Sequence, residues 1–265
     1  ASIELRAGDV IDGLVNGHEI CCKYIPRSNT RRGTVTEGNR TRKKKVATAP
    51  LFKEHADTEQ LAYNLGAFKA GDEIEITLKM HGTSTRTAYL PVLKGYKRTF
   101  WDRLLRREGT PIYEYGYVSG TRRTILENWE GGYYGDNAFR EPHCKVFEGK
   151  LHRGEAVYAE IVGFTTNGTP IMGSCDNKKL NDKEFIKQYG KETVFSYGCK
   201  PVVSIDCDDL QSDIYVYRMT MTNPDGEVVE YTPDFMRYRC EQMGVKTVPV
   251  MWKGVIPFDL KTDAF

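Results

Sequence analysis

Apolar and polar residues alternate along several stretches of the chain. Ile74, Ile76 and Leu78 fall on one side of a period-2 pattern, with Glu75, Thr77 and Lys79 on the other, which predicts a half-buried strand. The pattern resumes at residues 88–93. Residues 113–126 predict strand, turn, strand around Ser119-Gly120-Thr121-Arg122-Arg123. Residues 157–163 are almost continuously apolar and β-prone, with one acid, Glu160. Residues 213–221 alternate again and place Tyr215, Tyr217 and Met219 on one face. Asn223-Pro224-Asp225-Gly226 signals a tight turn into a strand over 228–231, and 248–252 predict another.

Helical spacing is rarer. Phe100, Trp101, Leu104 and Leu105 fit one face of a helix. Leu180, Phe185, Ile186 and Tyr189 fit another, with Asn181 as its cap and Gly190 as its stop. Thr232-Pro233 opens a third, over Phe235, Met236, Tyr238, Arg239 and Met243, and Gly244 ends it. A short helix capped by Asp57 or Thr58 is expected before Leu65. Residues 1–30 read as short strands and turns, and 127–143 as a loop. Hairpin-linked strands with a few interspersed helices predict an α+β fold of antiparallel sheets with flanking helices.

Composition narrows the class. At 265 residues the chain can bury a sizeable core. A net charge of +2 is nearly neutral, so a nucleic-acid surface must come from local clustering. Such clusters exist. Residues 31–45 hold Arg31, Arg32, Arg40, Arg42, Lys43, Lys44 and Lys45 among few apolar residues. Residues 94–111 interleave Lys94, Lys97, Arg98, Arg103, Arg106 and Arg107 with Tyr96, Phe100 and Trp101. Arg42, Lys43, Lys44, Arg98 and Arg103 are the candidate phosphate contacts. There are seven cysteines and no Cys-x-x-Cys pair, which argues against a zinc or disulfide framework and for reduced thiols in a cytoplasmic compartment. No run of about 18 apolar residues is present, so no membrane span is expected.

The candidate chemistry lies at the end of the first strand. A lysine there, beside a glycine turn, can serve as an amine nucleophile, and the glycine lets a phosphate approach the backbone. Lys79-Met80-His81-Gly82-Thr83-Ser84, followed by Arg86, resembles motif I of the covalent nucleotidyltransferases, the superfamily of DNA ligases, RNA ligases and capping enzymes. His before the glycine and Thr after it resemble the RNA ligases in particular. Val157-Tyr158-Ala159-Glu160-Ile161-Val162-Gly163 looks like motif III, and the strand carrying Tyr217 like motif IIIa. Arg122 resembles the arginine that ends an intervening strand.

The resemblance covers roughly residues 50–255 and implies an ATP-grasp-like nucleotidyltransferase domain over 51–265, after a strand-rich, basic segment over 1–50. It implies ATP and Mg²⁺ (or Mn²⁺) as cofactors, and RNA 5′-phosphate and 3′-hydroxyl ends as partners. Lys79 is then the residue that becomes adenylylated. Leu78, His81, Gly82, Thr83, Arg86, Arg122, Glu160 and Tyr217 frame the nucleotide. Tyr217 stacks on the purine, with Tyr215 as second choice, and Glu160 holds the ribose or the metal. His55 and Gln60 are further framing candidates. Motifs IV and V have no clear match within the chain. Glu227, with Lys246 or Lys253, is a weaker alternative for them, because a hairpin and a helix should follow motif IIIa directly. The function implied is ATP-dependent RNA ligation. The alternatives are a DNA ligase or capping guanylyltransferase, and a ligase-like module that binds nucleotide or RNA without chemistry.

Overall fold

The computed structural model describes residues 47–55, 58–135, 137–173, 175–176, 181–196, 198–199 and 212–259, together with two short strands near the N-terminus. The chain forms two units, Ala1–Lys45 and Val46–Phe265. In the first, β1 (Leu14–Val15) pairs antiparallel with β2 (His18–Glu19). Arg42, Lys43 and Lys44 lie outside the described residues.

The second unit is mixed α/β, built mainly from antiparallel strands with few helices. In chain order its strands are β3 (Glu73–Thr77), β4 (Thr83–Lys97), β5 (Thr110–Gly120), β6 (Ile125–Leu126), β7 (Glu155–Gly163), β8 (Cys175–Asp176), β9 (Val194–Phe195), β10 (Ser212–Thr222), β11 (Val228–Glu230), β12 (Lys246–Thr247) and β13 (Val250–Val255). The helices are α1 (Phe100–Leu104), α2 (Glu141–Lys145), α3 (Lys183–Tyr189) and α4 (Pro233–Met243). The main sheet runs β11-β10-β7-β4-β5-β6, with β12 added parallel to β10. Two small antiparallel pairs, β3 with β13 and β8 with β9, complete the described strands.

The strand β7 sits at the centre because its sequence allows burial on both faces. Every residue of β7 is buried except Glu160. Val157, Ala159 and Ile161 point into the larger core, where they meet Val216 and Met219 of β10 and Met236, Cys240 and Met243 of α4. Ala156 and Tyr158 point to the other face and pack with Ala88, Leu90, Val118 and Phe52. The helix α4 has both ends defined by the expected residues. The Thr232 hydroxyl accepts from Phe235 N–H, and Gly244 adopts φ 68°. Arg239 of α4 donates to both oxygens of the buried Glu155 carboxylate, at 2.9 and 2.8 Å, and Tyr231 adds a hydroxyl at 2.9 Å. Burial opposes the charge on Glu155, but these donors outweigh it and hold the carboxyl below its usual range.

Several local expectations change. The helix expected before Leu65 is a pair of tight 3₁₀ turns, Leu61–Tyr63 and Leu65–Ala67. The cap of α3 is Asp182, whose carboxylate accepts from Glu184 and Phe185 N–H, rather than Asn181. Residues 127–143, read as a loop, contain the turn Ala138–Arg140 and the start of α2. In β10 the pairing with β7 shifts between Val216 and Arg218, so Tyr217 is the extra residue of a β-bulge. The bulge separates Met219, which enters the larger core, from Tyr215, which packs with Met80, Val162 and Val248. The strand β3 pairs with β13 alone, and its apolar side is not the covered one: Ile76 is 50% exposed. Its polar side is held instead, by the Arg237 guanidinium on both Glu75 oxygens at 2.7 and 2.8 Å.

Candidate functional site

The register of the main sheet collects the residues singled out above. Ser84 of β4 lies opposite Glu160 of β7, and Glu160 lies opposite Tyr215 of β10. Lys79 is exposed in the link between β3 and β4, at the same end. The link is anchored at both sides. Leu78 N–H donates to the Pro249 carbonyl at 2.8 Å, and Met80 is buried against Val162 and Val248.

Gly82 sits where only glycine fits. A Cβ there would lie 2.1 Å from the Ile161 carbonyl oxygen and 2.9 Å from Val162. This close approach lets Gly82 N–H donate to Glu160 Oε1 at 3.1 Å. Burial raises the Glu160 carboxyl above its usual range, while the Gly82 N–H and the positive charges of Lys79, Arg140 and Arg122 act the other way. Glu160 is therefore a carboxylate ringed by cations but still short of solvation. An additional positive charge or hydrogen-bond donor from a ligand relieves that deficit.

Arg140 is the site residue that sequence reading missed. It is buried, and its guanidinium donates to Asn137 Oδ1 at 3.0 Å, to the Ser84 carbonyl at 2.9 Å and to the Thr83 hydroxyl at 2.6 Å. It fixes the first two residues of β4 from below. Nothing in its own stretch of sequence announces this, because its partners on β4 stand 56 and 57 residues away. Tyr134 closes the same corner. Its hydroxyl donates to the Ile171 carbonyl, and its ring packs edge-on against Phe139 at 5.7 Å.

Arg86 has a different employment from the one the motif suggests. Its side chain is buried and reaches three carbonyls: Thr121 at 2.8 Å, Phe52 at 3.3 Å, and Lys53. It also lies over the Phe52 ring at 4.1 Å. It ties residues 52–53 to the turn after β5. That turn exposes Arg122, whose carbonyl accepts from His55 N–H at 3.5 Å. His55 in turn places its ring 5.3 Å from Tyr217 and 5.9 Å from Tyr158. Tyr217 is partly buried, with its hydroxyl 3.4 Å from Ser84 Oγ, and burial pushes it up to about 12. Its ring thus lies between His55 and the start of β4, close to Glu160.

The structure therefore brings together Lys79, Gly82, Thr83, Glu160, Arg122 and Tyr217, with His81 exposed on the same link. It keeps others apart. Arg98 and Arg103 stand at the far end of β4, about 45 Å along the strand from Thr83. Glu227 caps the turn after β10, hydrogen bonded to Asn223, and stands at the opposite end of that strand from Tyr215. Lys246 is at the near end, paired with Asp213 and above the Tyr215 ring at 5.7 Å. Lys253 is occupied by Asp234 at 2.8 Å.

Among the described residues, no group of three or more His, Cys, Asp or Glu could hold a metal ion. Among the same residues, no helix is long and apolar enough to cross a membrane. No family model matches the chain, and no curated protein matches it. Among solved structures the chain is similar to the apo form of a mutant RNA ligase from Naegleria gruberi, at 14% identity and a TM-score of 0.40. The match covers 82% of this chain and 51% of that one, so the chain spans about half the length of that protein.

Proposed function

We propose that the protein is an ATP-dependent RNA ligase that works through an adenylylated lysine, Lys79. The observation that carries this reading is the Gly82 N–H bond to Glu160, which holds the lysine-bearing link against the one partly open acid of the central strand. Tyr217 and Arg122 border the same place, in the order along the chain that the motif resemblance requires.

The roles are those the motif resemblance implies, and the geometry is compatible with each. The neutral Lys79 amine attacks the α-phosphorus of ATP. A P–N bond forms, the bond to pyrophosphate breaks, and the amine proton passes to solvent. Gly82 leaves the backbone open to the phosphates. Glu160 receives the ribose hydroxyls or a hydrated cation, and the Tyr217 ring supplies an apolar wall for the base. The AMP then moves to an RNA 5′-phosphate, and a 3′-hydroxyl displaces it to form the phosphodiester. A single carboxylate fits a Mg²⁺ (or Mn²⁺) that arrives with the triphosphate and keeps most of its waters. When bound, the cation neutralises charge on the phosphates.

The test is covalent labelling. The full-length protein, incubated with α-labelled ATP and Mg²⁺ and then denatured, should carry label that resists alkali and is released by hot acid, as a P–N bond requires, and that Lys79→Ala abolishes. Absence of label from both ATP and GTP would overturn the proposal.

A further inference from the structure

The far end of the β4–β5 hairpin is built differently from the rest of the unit. Between the two strands the chain forms α1, and none of its residues is buried. Phe100 is 73% exposed, Trp101 66%, Leu104 61% and Leu105 53%. A five-residue helix normally persists only by packing an apolar face on a core. This one is held by local devices. Thr99 and Asp102 form a reciprocal capping box, with Asp102 N–H on the Thr99 hydroxyl at 3.2 Å and Thr99 N–H on the carboxylate at 2.9 Å. Gly109 adopts φ 85° and closes the loop against Lys97, where a Cβ would lie 2.5 Å from the carbonyl oxygen.

The surroundings are basic. A groove beside the helix is lined by Arg98, Asp102, Arg103, Arg106, Arg107 and Glu108, and Asp102 is already engaged by Thr99. Lys94 and Lys97 lie on the strand that leads into it. Exposed aromatic rings beside a row of cations match the two needs of a single nucleic-acid strand: stacking surfaces for bases and charge for phosphates. An acidic peptide would use the cations and leave the rings idle.

From this charge complementarity and the uncovered aromatic face, we propose that the hairpin tip is a docking arm for single-stranded nucleic acid. The tip lies about 45 Å along β4 from Thr83. A strand stacked at the duplex rise of about 3.4 Å per nucleotide reaches from Lys79 to the arm in about a dozen nucleotides, and an extended strand does so in fewer. The arm needs no chemistry at Lys79, so this proposal and the ligase reading succeed or fail separately.

The experiment is fluorescence anisotropy of the full chain with a labelled single-stranded RNA of about twenty nucleotides, over a salt series. Two variants remove different parts of the arm: Arg103→Ala with Arg107→Ala, and Phe100→Ala with Trp101→Ala. Each should weaken binding at least tenfold while leaving lysine labelling by ATP and the circular dichroism spectrum unchanged. The arginine variant should lower the slope of log K against log salt by about 1.4, at about 0.7 per phosphate contact. The aromatic variant should leave that slope unchanged. Unchanged affinity in both variants overturns the proposal. So does loss of self-association or of binding to anionic vesicles in place of RNA binding.

Discussion

The two ends of β4 are made from the same strand and obey opposite rules. At its start, Thr83 and Ser84 are gripped by the buried Arg140, Gly82 is pressed against Ile161, and Thr85, Arg86 and Thr87 are all buried. At its end the chain passes into a helix that buries nothing. Polar residues fill the interior at the first end, and apolar residues face water at the second. Ordinary folding energetics would produce the reverse, because buried polar groups and exposed apolar surface each cost free energy. The teaching of the contrast is that both ends are shaped for something other than stability: positioning at one, contact with a partner at the other.

Substitutions separate these cases by size of effect. The largest is expected from Gly82→Ala. Its methyl group meets backbone at 2.1 Å, and neither β4 nor β7 can move without breaking the sheet. The cost should be about 3 kcal/mol or more, with a melting temperature lower by roughly 6–12 °C and lysine labelling lost. A Gly82→Ala protein that melts within about 2 °C of wild type would show that the close approach is not as tight as described.

Arg140→Met comes next. It strands three acceptors in a buried place, and a loss of about 2–4 kcal/mol is expected by chemical denaturation. Arg140→Lys should recover little, since one ammonium does not reproduce the forked guanidinium. Full recovery by lysine would reduce Arg140 to a simple charge.

Glu160→Gln should act on stability and activity in opposite directions. The folded protein holds this carboxyl above its usual range, so its contribution is intact below about pH 4.3 and is lost as pH rises through the raised value. The glutamine variant should match wild type in melting temperature near pH 4 and exceed it near pH 7, with labelling by ATP lost throughout. A variant less stable than wild type at pH 7 would mean that the surrounding cations outweigh burial.

The smallest effect belongs to the other end of the strand. Leu104→Ser with Leu105→Ser should shift stability by no more than about 0.5 kcal/mol, because both side chains already face water. A larger loss would reveal a packing partner for α1 and erase the contrast.

How much of this was legible in the sequence depended on the range of the interaction. Alternation marked β4 and β10, and an almost unbroken apolar run marked β7, because a strand with one or two buried faces writes its burial locally. Thr232, Pro233 and Gly244 marked the ends of α4 for the same reason: a cap bonds its own neighbours. Lys79 and Glu160 stood out as single polar residues at the end or middle of such strands. Arg140 did not, since its purpose is defined by carbonyl and hydroxyl groups on a distant strand. Arg86 was visible as a charge next to the motif, but its burial against Phe52, Lys53 and Thr121 depends on two segments that periodicity does not bring together. The spacing of α1 showed that it would be helical, and gave no sign that its apolar face would meet water.

The bulge in β10 has a consequence for parity. Before it, even-numbered residues such as Ile214 and Val216 face the larger core. After it the odd-numbered Met219 does so, and Arg218 pairs with Tyr158 on the opposite side. If the alternation ran on through Tyr217 with no bulge, Arg218 and Thr220 would be turned into that core. Tyr217 therefore belongs to neither half of the strand's alternation. It can be deleted outright, and each half of β10 keeps its partners on β7. Deletion should thus take away the ring beside Glu160 and leave the pairing intact.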